Sequence, residues 1–270
     1  MTTTPPAADE PVRVAATRVF LALLARDVRV AQRELVFFLL RTTLQPLLFV
    51  CVFGFLMPRM GLVPRNYSAA LLPGILAISL AFSSVQSVAL PMVTDFGWTR
   101  EIEDRLLAPI SIRLVAIEKV TAGVIQGFVA ALFVLPVARL IMGPIEALTL
   151  SHLGESLLVT LLGATAFSAL GLVMGTTVGG QQIGLMFSLI VAPMVMFGCA
   201  YYPWQGLSAV PAMQYAVLIN PLVYVAEGMR AALTPELPHM PLLAVIAALL
   251  AMTALLLAVG LRSFDRRAVG

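Results

Sequence analysis

Charged residues divide this chain into a few long apolar runs. Thr42 to Pro58, Tyr67 to Thr94, Val120 to Ala138 and Met240 to Leu261 are each free of charge, and 71 residues pass from Ser156 to Ala226 without one. A helix needs about 18–20 apolar residues to cross a roughly 30 Å hydrocarbon core at about 1.5 Å per residue. Thr42–Pro58 is short by that measure, so Phe37 and Phe38 are expected to dip in with it while Arg41 snorkels. The 71-residue run needs dividing. VGGQQIG at 178–184 breaks it, since paired glycines disfavour helix and glutamines want water or a partner. YYPWQGLSAVP at 201–211 then reads as a membrane-surface turn, with two prolines, a glycine and interfacial aromatics.

Residues 212–234 could form a seventh span, and charge placement decides against it. With six spans and an internal N-terminus, the cytoplasmic side holds Arg13, Arg18, Arg26, Arg29, Arg33, Arg41, Arg100, Arg105, Arg113, Lys119, Arg262, Arg266 and Arg267, which is 13 of the 17 basic residues. The outside holds the other four, Arg59, Arg65, Arg139 and Arg230. Basic residues concentrate on the cytoplasmic side of membrane proteins, and a seventh span would put 262–267 outside. The expected fold is therefore an all-α integral membrane protein. Residues 1–11 are a disordered tail, 12–35 an in-plane amphipathic helix, 36–262 the six-span domain and 263–270 a cytoplasmic tail. The spans lie at about 36–58, 67–93, 117–142, 155–178, 182–202 and 240–262, and 203–234 is an external hairpin leaning into the membrane.

Composition supports a membrane protein. The chain is 60% hydrophobic and 11% charged, against about 25% charged in soluble domains. The net charge of +3 says little by itself. Cys51 and Cys199 lie in separate apolar runs and are expected to be buried small hydrophobes rather than a disulfide. MTTTPPAADEPV lacks the basic and apolar regions of a signal peptide.

Two segments on the cytoplasmic side carry patterned charge. On a helix from Val12, Arg18, Arg26, Arg29 and Arg33 fall in an arc of about 80°, with Val19, Phe20, Leu23, Leu24, Val28 and Leu35 over the remainder. That suits a helix lying in the interface over anionic lipid. On a helix at 98–108, Trp98, Ile102 and Leu106 form one stripe, and Arg100, Glu101, Asp104 and Arg105 fill much of the rest. With Glu103, acids and bases number three and two. A lipid-binding helix would be mostly basic, whereas mixed charge suits docking onto a protein partner. A plain solvated loop helix is the simpler alternative.

REIEDRLLAPISIRLVAIEK (100–119) and LINPLVYVAEGMRAAL (218–233), set among six spans and an in-plane helix, resemble the type-2 ABC transporter permeases. These are the membrane subunits of drug, polysaccharide and lipid exporters, similar to the daunorubicin-resistance and nodulation-factor export permeases. The resemblance covers about 12–267. It implies that Trp98, Arg100, Glu101, Ile102, Glu103, Asp104, Arg105, Leu106 and Pro109 form a coupling helix pressed against an ATPase, with Leu107 and Ser111 also matching. The family's usual Gly-Thr after the charged run is replaced by Asp104-Arg105. It also implies that Asn220, Pro221, Tyr224, Glu227 and Arg230 belong to an external helical pair. The implied partners are an ATP-binding subunit in two copies, a second permease chain as homodimer or heterodimer, and membrane lipids, with no nucleic acid. ATP and Mg would be bound by the partner subunit, and the location would be a bacterial plasma membrane.

The residues themselves exclude several chemistries. A phosphate-cradling loop needs Gly-x4-Gly-Lys-[Ser/Thr], and the only lysine, Lys119, follows Glu118. His152 and His239 are far apart and lack a His-Glu-x-x-His frame, so no metal or catalytic site is expected and a membrane-embedded enzyme is disfavoured. An ion-coupled secondary transporter usually keeps acids within its spans, and no span here has a central Asp or Glu. Gly171, Gly175 and Gly179, like Gly123 and Gly127, repeat every four residues and let helices approach closely, either inside one chain or between two. Met186, Phe187, Met194, Met196 and Phe197 are candidates for an apolar substrate path, or else face lipid. Glu227 and Arg230, at i and i+3, are placed to pair; as an exposed pair they would add only about 0–1 kcal/mol, and more at the membrane edge.

Overall fold

The computed structural model describes residues 16–64, 67–97, 110–142 and 151–269. The expected tail, 1–11, lies outside them, as does every residue of 98–109. Among the described residues, and apart from a 3-10 turn at Trp204–Ala209, nine helices follow in order: α1 Ala16–Arg33, α2 Leu35–Arg59, α3 Tyr67–Gly97, α4 Ile112–Met142, α5 Leu153–Thr177, α6 Gly180–Met196, α7 Pro211–Ile219, α8 Pro221–Leu233 and α9 Leu242–Val269. No strand occurs among the described residues. Helices α2, α3, α4, α5 and α9 are long and apolar enough to cross a membrane singly. The protein is an all-α integral membrane protein.

Helix α3 is the hub. It packs on α4, α5 and α8, and 83% of its most apolar window is buried against 17% for α9 at the rim. Close approach explains this. Gly171 and Gly175 of α5 lie against Val85, Val88, Ala89 and Met92 of α3, where an added Cβ would sit 2.7 and 2.6 Å from its nearest neighbour. Gly123 and Gly127 of α4 meet Val88, Ser84 and Ser168 in the same way. Both glycine repeats thus serve packing within the chain, and Gly179, with nothing within 4 Å, takes no part. Gly74 is tighter still, since a Cβ there would fall 1.8 Å from the carbonyl oxygen of Ala200.

The chain path fixes what α6 does. The end of α5 is met by Arg267 near the end of α9, whose guanidinium donates to the carbonyls of Gly175, Thr176 and Val178 at 3.1, 3.0 and 3.0 Å. Both helices therefore finish at one end of the bundle, the end that also carries α1. Cys199 lies at the other end, beside the hairpin. The chain must return between them, and α6 is the segment that does so. Its 17 residues give about 25 Å. It stops at Met196, not at 202 as expected, because Cys199 takes a left-handed φ of 52° and turns the chain under the hairpin. Pro193 opens its last turn, which follows a π-helical stretch at Phe187–Val191. A second π stretch, Val50–Leu56, lies within α2.

Other boundaries also move. Helix α9 continues to Val269, through the expected tail at 263–270, because Asp265 pairs with Arg113 at 2.9 Å and Arg267 caps α5. A cation at a helix C-terminus completes orphan carbonyls and complements the dipole. Of the two cysteines, Cys199 is buried but Cys51 is exposed on the outer face of α2, where a small apolar side chain meets lipid as well as core.

The glycine contacts predict a graded response. Gly74→Ala and Gly171→Ala should each destabilise by about 1–3 kcal/mol through overpacking. Gly179→Ala should stay within about 0.5 kcal/mol. Thermal unfolding of the purified chain in detergent, followed by size-exclusion recovery, would measure all three.

Candidate functional site

The hairpin begins with the turn at Trp204–Ala209 and continues as α7 and α8, which meet at 99°. Asn220 and Pro221 make this elbow. Pro221 stands at the first helical position, where its missing N–H is no loss. Asn220 caps α8 by accepting from the Leu222 N–H at 2.9 Å and donates its amide to the Met194 carbonyl at 2.7 Å. The elbow is thereby tied to the end of α6. Tyr224 donates to the Leu218 carbonyl at 2.9 Å and braces the same corner.

Helix α8 carries Glu227 and Arg230, and both side chains are fully buried. The pair placed by the i, i+3 spacing forms, and it is buried within the protein, because α8 packs on α3 and α5. The Glu227 carboxylate accepts the Trp204 N–H and the Met240 N–H, each at 2.8 Å, and pairs with Arg230. Arg230 in turn donates to the carbonyls of Cys199 at 3.1 Å and Ala70 at 3.5 Å. Five stretches of chain meet here: the start of α3, the turn after α6, the start of the hairpin, α8 and the lead into α9. The left-handed turn at Cys199, which costs roughly 1–2 kcal/mol, aims its carbonyl at the guanidinium.

Beside the elbow lies a cavity of about 540 Å³ between α5, α6, α7 and α9. Its walls include Leu170, Met194, Phe197, Met213 and Leu256, with Asn220 the one polar side chain. The Asn220 amide makes one hydrogen bond through its nitrogen and one through its oxygen within the protein, and the rest of the lining is apolar side chains. Of the five residues expected along a substrate path, Met194 and Phe197 line this cavity. Met186 and Phe187 pack half-buried against the core, and Met196 faces outward. Helical spacing alone set all five on one helix without saying which face met a cavity.

At the other end, the structure joins residues that the sequence left apart. Lys119 of α4 is buried and lies 3.0 Å from both Asp27 of α1 and Asp95 of α3. The signal was present. Asp27 falls opposite the arginine arc of α1, among its apolar residues, and an acid on the apolar face asks for a buried cation. Arg18, Arg26, Arg29 and Arg33 face outward, while Val19, Phe20, Leu23, Leu24 and Val28 are half-buried. Trp98, Arg100, Glu101, Ile102, Glu103, Asp104, Arg105, Leu106 and Pro109 lie outside the described residues. No cluster of three or more potential metal ligands occurs among the described residues.

A bundle of apolar helices long enough to span a membrane, with a buried helical elbow at one end, is the architecture of an integral membrane protein. In agreement, residues 18–234 match the ABC-2 type transporter family, and the chain belongs to it. It is similar to the inner membrane transport permease YadH of Escherichia coli K12, 26% identical over 175 residues covering 61% of this chain and 62% of the relative. The proteins of the same name from Escherichia coli O157:H7 and Shigella flexneri match to the same extent. The chain thus spans about three fifths of the length of these curated relatives.

The buried pair predicts an asymmetry. Glu227→Ala leaves a buried guanidinium and should destabilise by about 3–5 kcal/mol. Glu227→Ala with Arg230→Met should be less damaging than the single change, though not neutral, since two backbone N–H groups still lose their acceptor. Thermal unfolding midpoints of the two variants in detergent check the order.

Proposed function

We propose that this chain is the membrane-spanning subunit of an ATP-driven exporter in a bacterial plasma membrane, moving an amphipathic or lipid-linked molecule outward. The observation that carries the reading is the apolar cavity beside the hairpin elbow. A cavity lined by apolar side chains apart from one asparagine suits hydrocarbon, and its tie to the elbow through Asn220 couples its shape to the hairpin's position. An apolar drug, a lipid or the lipid anchor of a glycan is compatible with that chemistry, because a fold does not fix a substrate. The relatives' names, as inner membrane transport permeases, support the location.

ATP and Mg are assigned to a separate ATP-binding subunit, present in two copies beside two permease chains. In support, the chain's one lysine is held between two carboxylates and sits in no glycine-rich loop. On this reading residues 98–109 are the lever that seats in the ATPase. Trp98, Ile102 and Leu106 hold it to the spans, Arg100, Glu101, Asp104 and Arg105 face the partner, and Pro109 ends it, because the residue before proline avoids the helical region. Both termini are assigned to the cytoplasm from the distribution of basic residues.

Two measurements test this. Reversing the charges of Glu101, Asp104 and Arg105 should leave the chain folded and inserted but reduce co-purification with the ATP-binding subunit and abolish substrate-stimulated ATP turnover. Wild-type levels of both would remove the lever's role. For topology, cysteines introduced at Ser151 and Ser208 should react with an impermeant reagent from outside, and one at Ser111 should not. Protection of Ser208 would overturn the six-span arrangement.

A further inference from the structure

Helix α1 presents different chemistry on its two sides. Toward the bundle, Asp27 lies 3.0 Å from Lys119, and Phe20, Leu23 and Leu24 are half-buried on the same side. Asp27 is the one acid of this helix. At about 100° per residue, Arg18 and Arg29 stand about 180° and 200° round the helix from it, and Arg33 falls within about 60° of both. These three arginines are exposed, and none of them pairs with an acid or with any other group among the described residues. Ala22 and Ala25, small and also exposed, lie between them and leave the guanidinium groups room. From Arg18 to Arg33 the strip runs about 22 Å. The ion pair on the opposite side fixes its aim, since rolling α1 toward the bundle would part Asp27 from Lys119.

An arginine strip in water needs no partner. The border of this one indicates a partner. Leu21 and Val30 flank it on either side and are 55% and 54% exposed. Arg33 stands two residues before the start of α2, whose first turns expose Val36, Phe37 and Leu40 by 82%, 64% and 60%. The basic strip is therefore continuous with an apolar surface that hydrocarbon covers in a membrane protein. Arginine suits such a border, because its stem lies along apolar surface while the guanidinium stays at the level of the head groups. Its planar fork of N–H donors also matches phosphate oxygens. A soluble protein docked on the strip would leave the flanking leucine and valine at the edge of a polar contact.

We propose that Arg18, Arg29 and Arg33 bind the phosphate groups of anionic phospholipids in the leaflet beside α1. A zwitterionic head group offers the same phosphate but brings its own cation, so the strip selects lipids of net negative charge.

The test is local quenching in vesicles. The full chain, carrying Cys51→Ala and Ala22→Cys, is labelled with a fluorophore at position 22 and reconstituted in phosphatidylcholine. A doxyl quencher is then added on the acyl chain of either phosphatidylglycerol or phosphatidylcholine. Half-maximal quenching should need about a fivefold lower mole fraction of the phosphatidylglycerol probe, the size expected for one arginine at a lipid surface. A label placed instead by Leu243→Cys, on the exposed face of α9, should show no preference. Arg18→Gln with Arg29→Gln and Arg33→Gln should abolish the preference at position 22, and the three changes to Lys should keep most of it. These positions are exposed and unpaired, and an unaltered unfolding midpoint establishes that the variants fold. Salt at about 1 M should reduce the preference by screening. Equal quenching by the two lipids at position 22 overturns the proposal. So does an equal preference at position 243, which is a property of the whole vesicle, or a preference that survives in the folded glutamine variant. Quenching by neither lipid places the strip away from the membrane and overturns it as well.

Discussion

The Glu227 carboxylate is the point on which the hairpin end depends. An acid and a base with no solvent exposure are tolerable only where the protein supplies their partners, which it does here for all but the Arg230 Nε. Here the partners come from stretches distant in sequence, at Ala70, Cys199, Trp204 and Met240. Cys199 and Met240 lie outside the helices, so the pair supplies bonding that regular structure does not where the chain turns. Much of the geometry described above follows from it: the early stop of α6, the left-handed turn at Cys199, the close approach of Gly74 to Ala200, and the elbow that walls the apolar cavity.

The opposite end uses the same physics with different members. Lys119 joins three helices through Asp27 and Asp95, and Arg267 closes the end of α5. One is an ion cluster between side chains, the other a cation on orphan carbonyls, with its guanidinium also 4.9 Å from the ring centre of Phe96. Between the two polar ends the packing is almost wholly apolar and small, with glycines, alanines and serines of α3, α4 and α5 letting the backbones approach. Ion pairs at both ends and close packing in between bind α1, α8 and the long helices into one packed body.

The long helices were legible because length and apolarity are properties of a window, and a 31-residue run such as Tyr67–Gly97 needs no partner to declare itself. The hairpin was legible from Asn220-Pro221 and the surface aromatics. Burial of Glu227 and Arg230 was not, because a pair at i and i+3 looks the same on a wet face as on a buried one. The end of α6 was hidden for a related reason. Nothing in GCAYYP distinguishes a continuing span from a turn, and the φ of Cys199 is imposed by Arg230, 31 residues away. Asp27 and Lys119 were each visible as oddities, and only the packing of α1 on α4 brought them together.

The length of α6 bears on the lipid around the protein. A helix of about 25 Å beside neighbours that exceed the roughly 30 Å core creates a local mismatch. With Gln181 and Gln182 exposed where it begins, the polar boundary is drawn inward along that side. A short span of this kind favours a thinner bilayer beside it, which lowers the hydrocarbon barrier along the α6 side of the protein relative to its other faces.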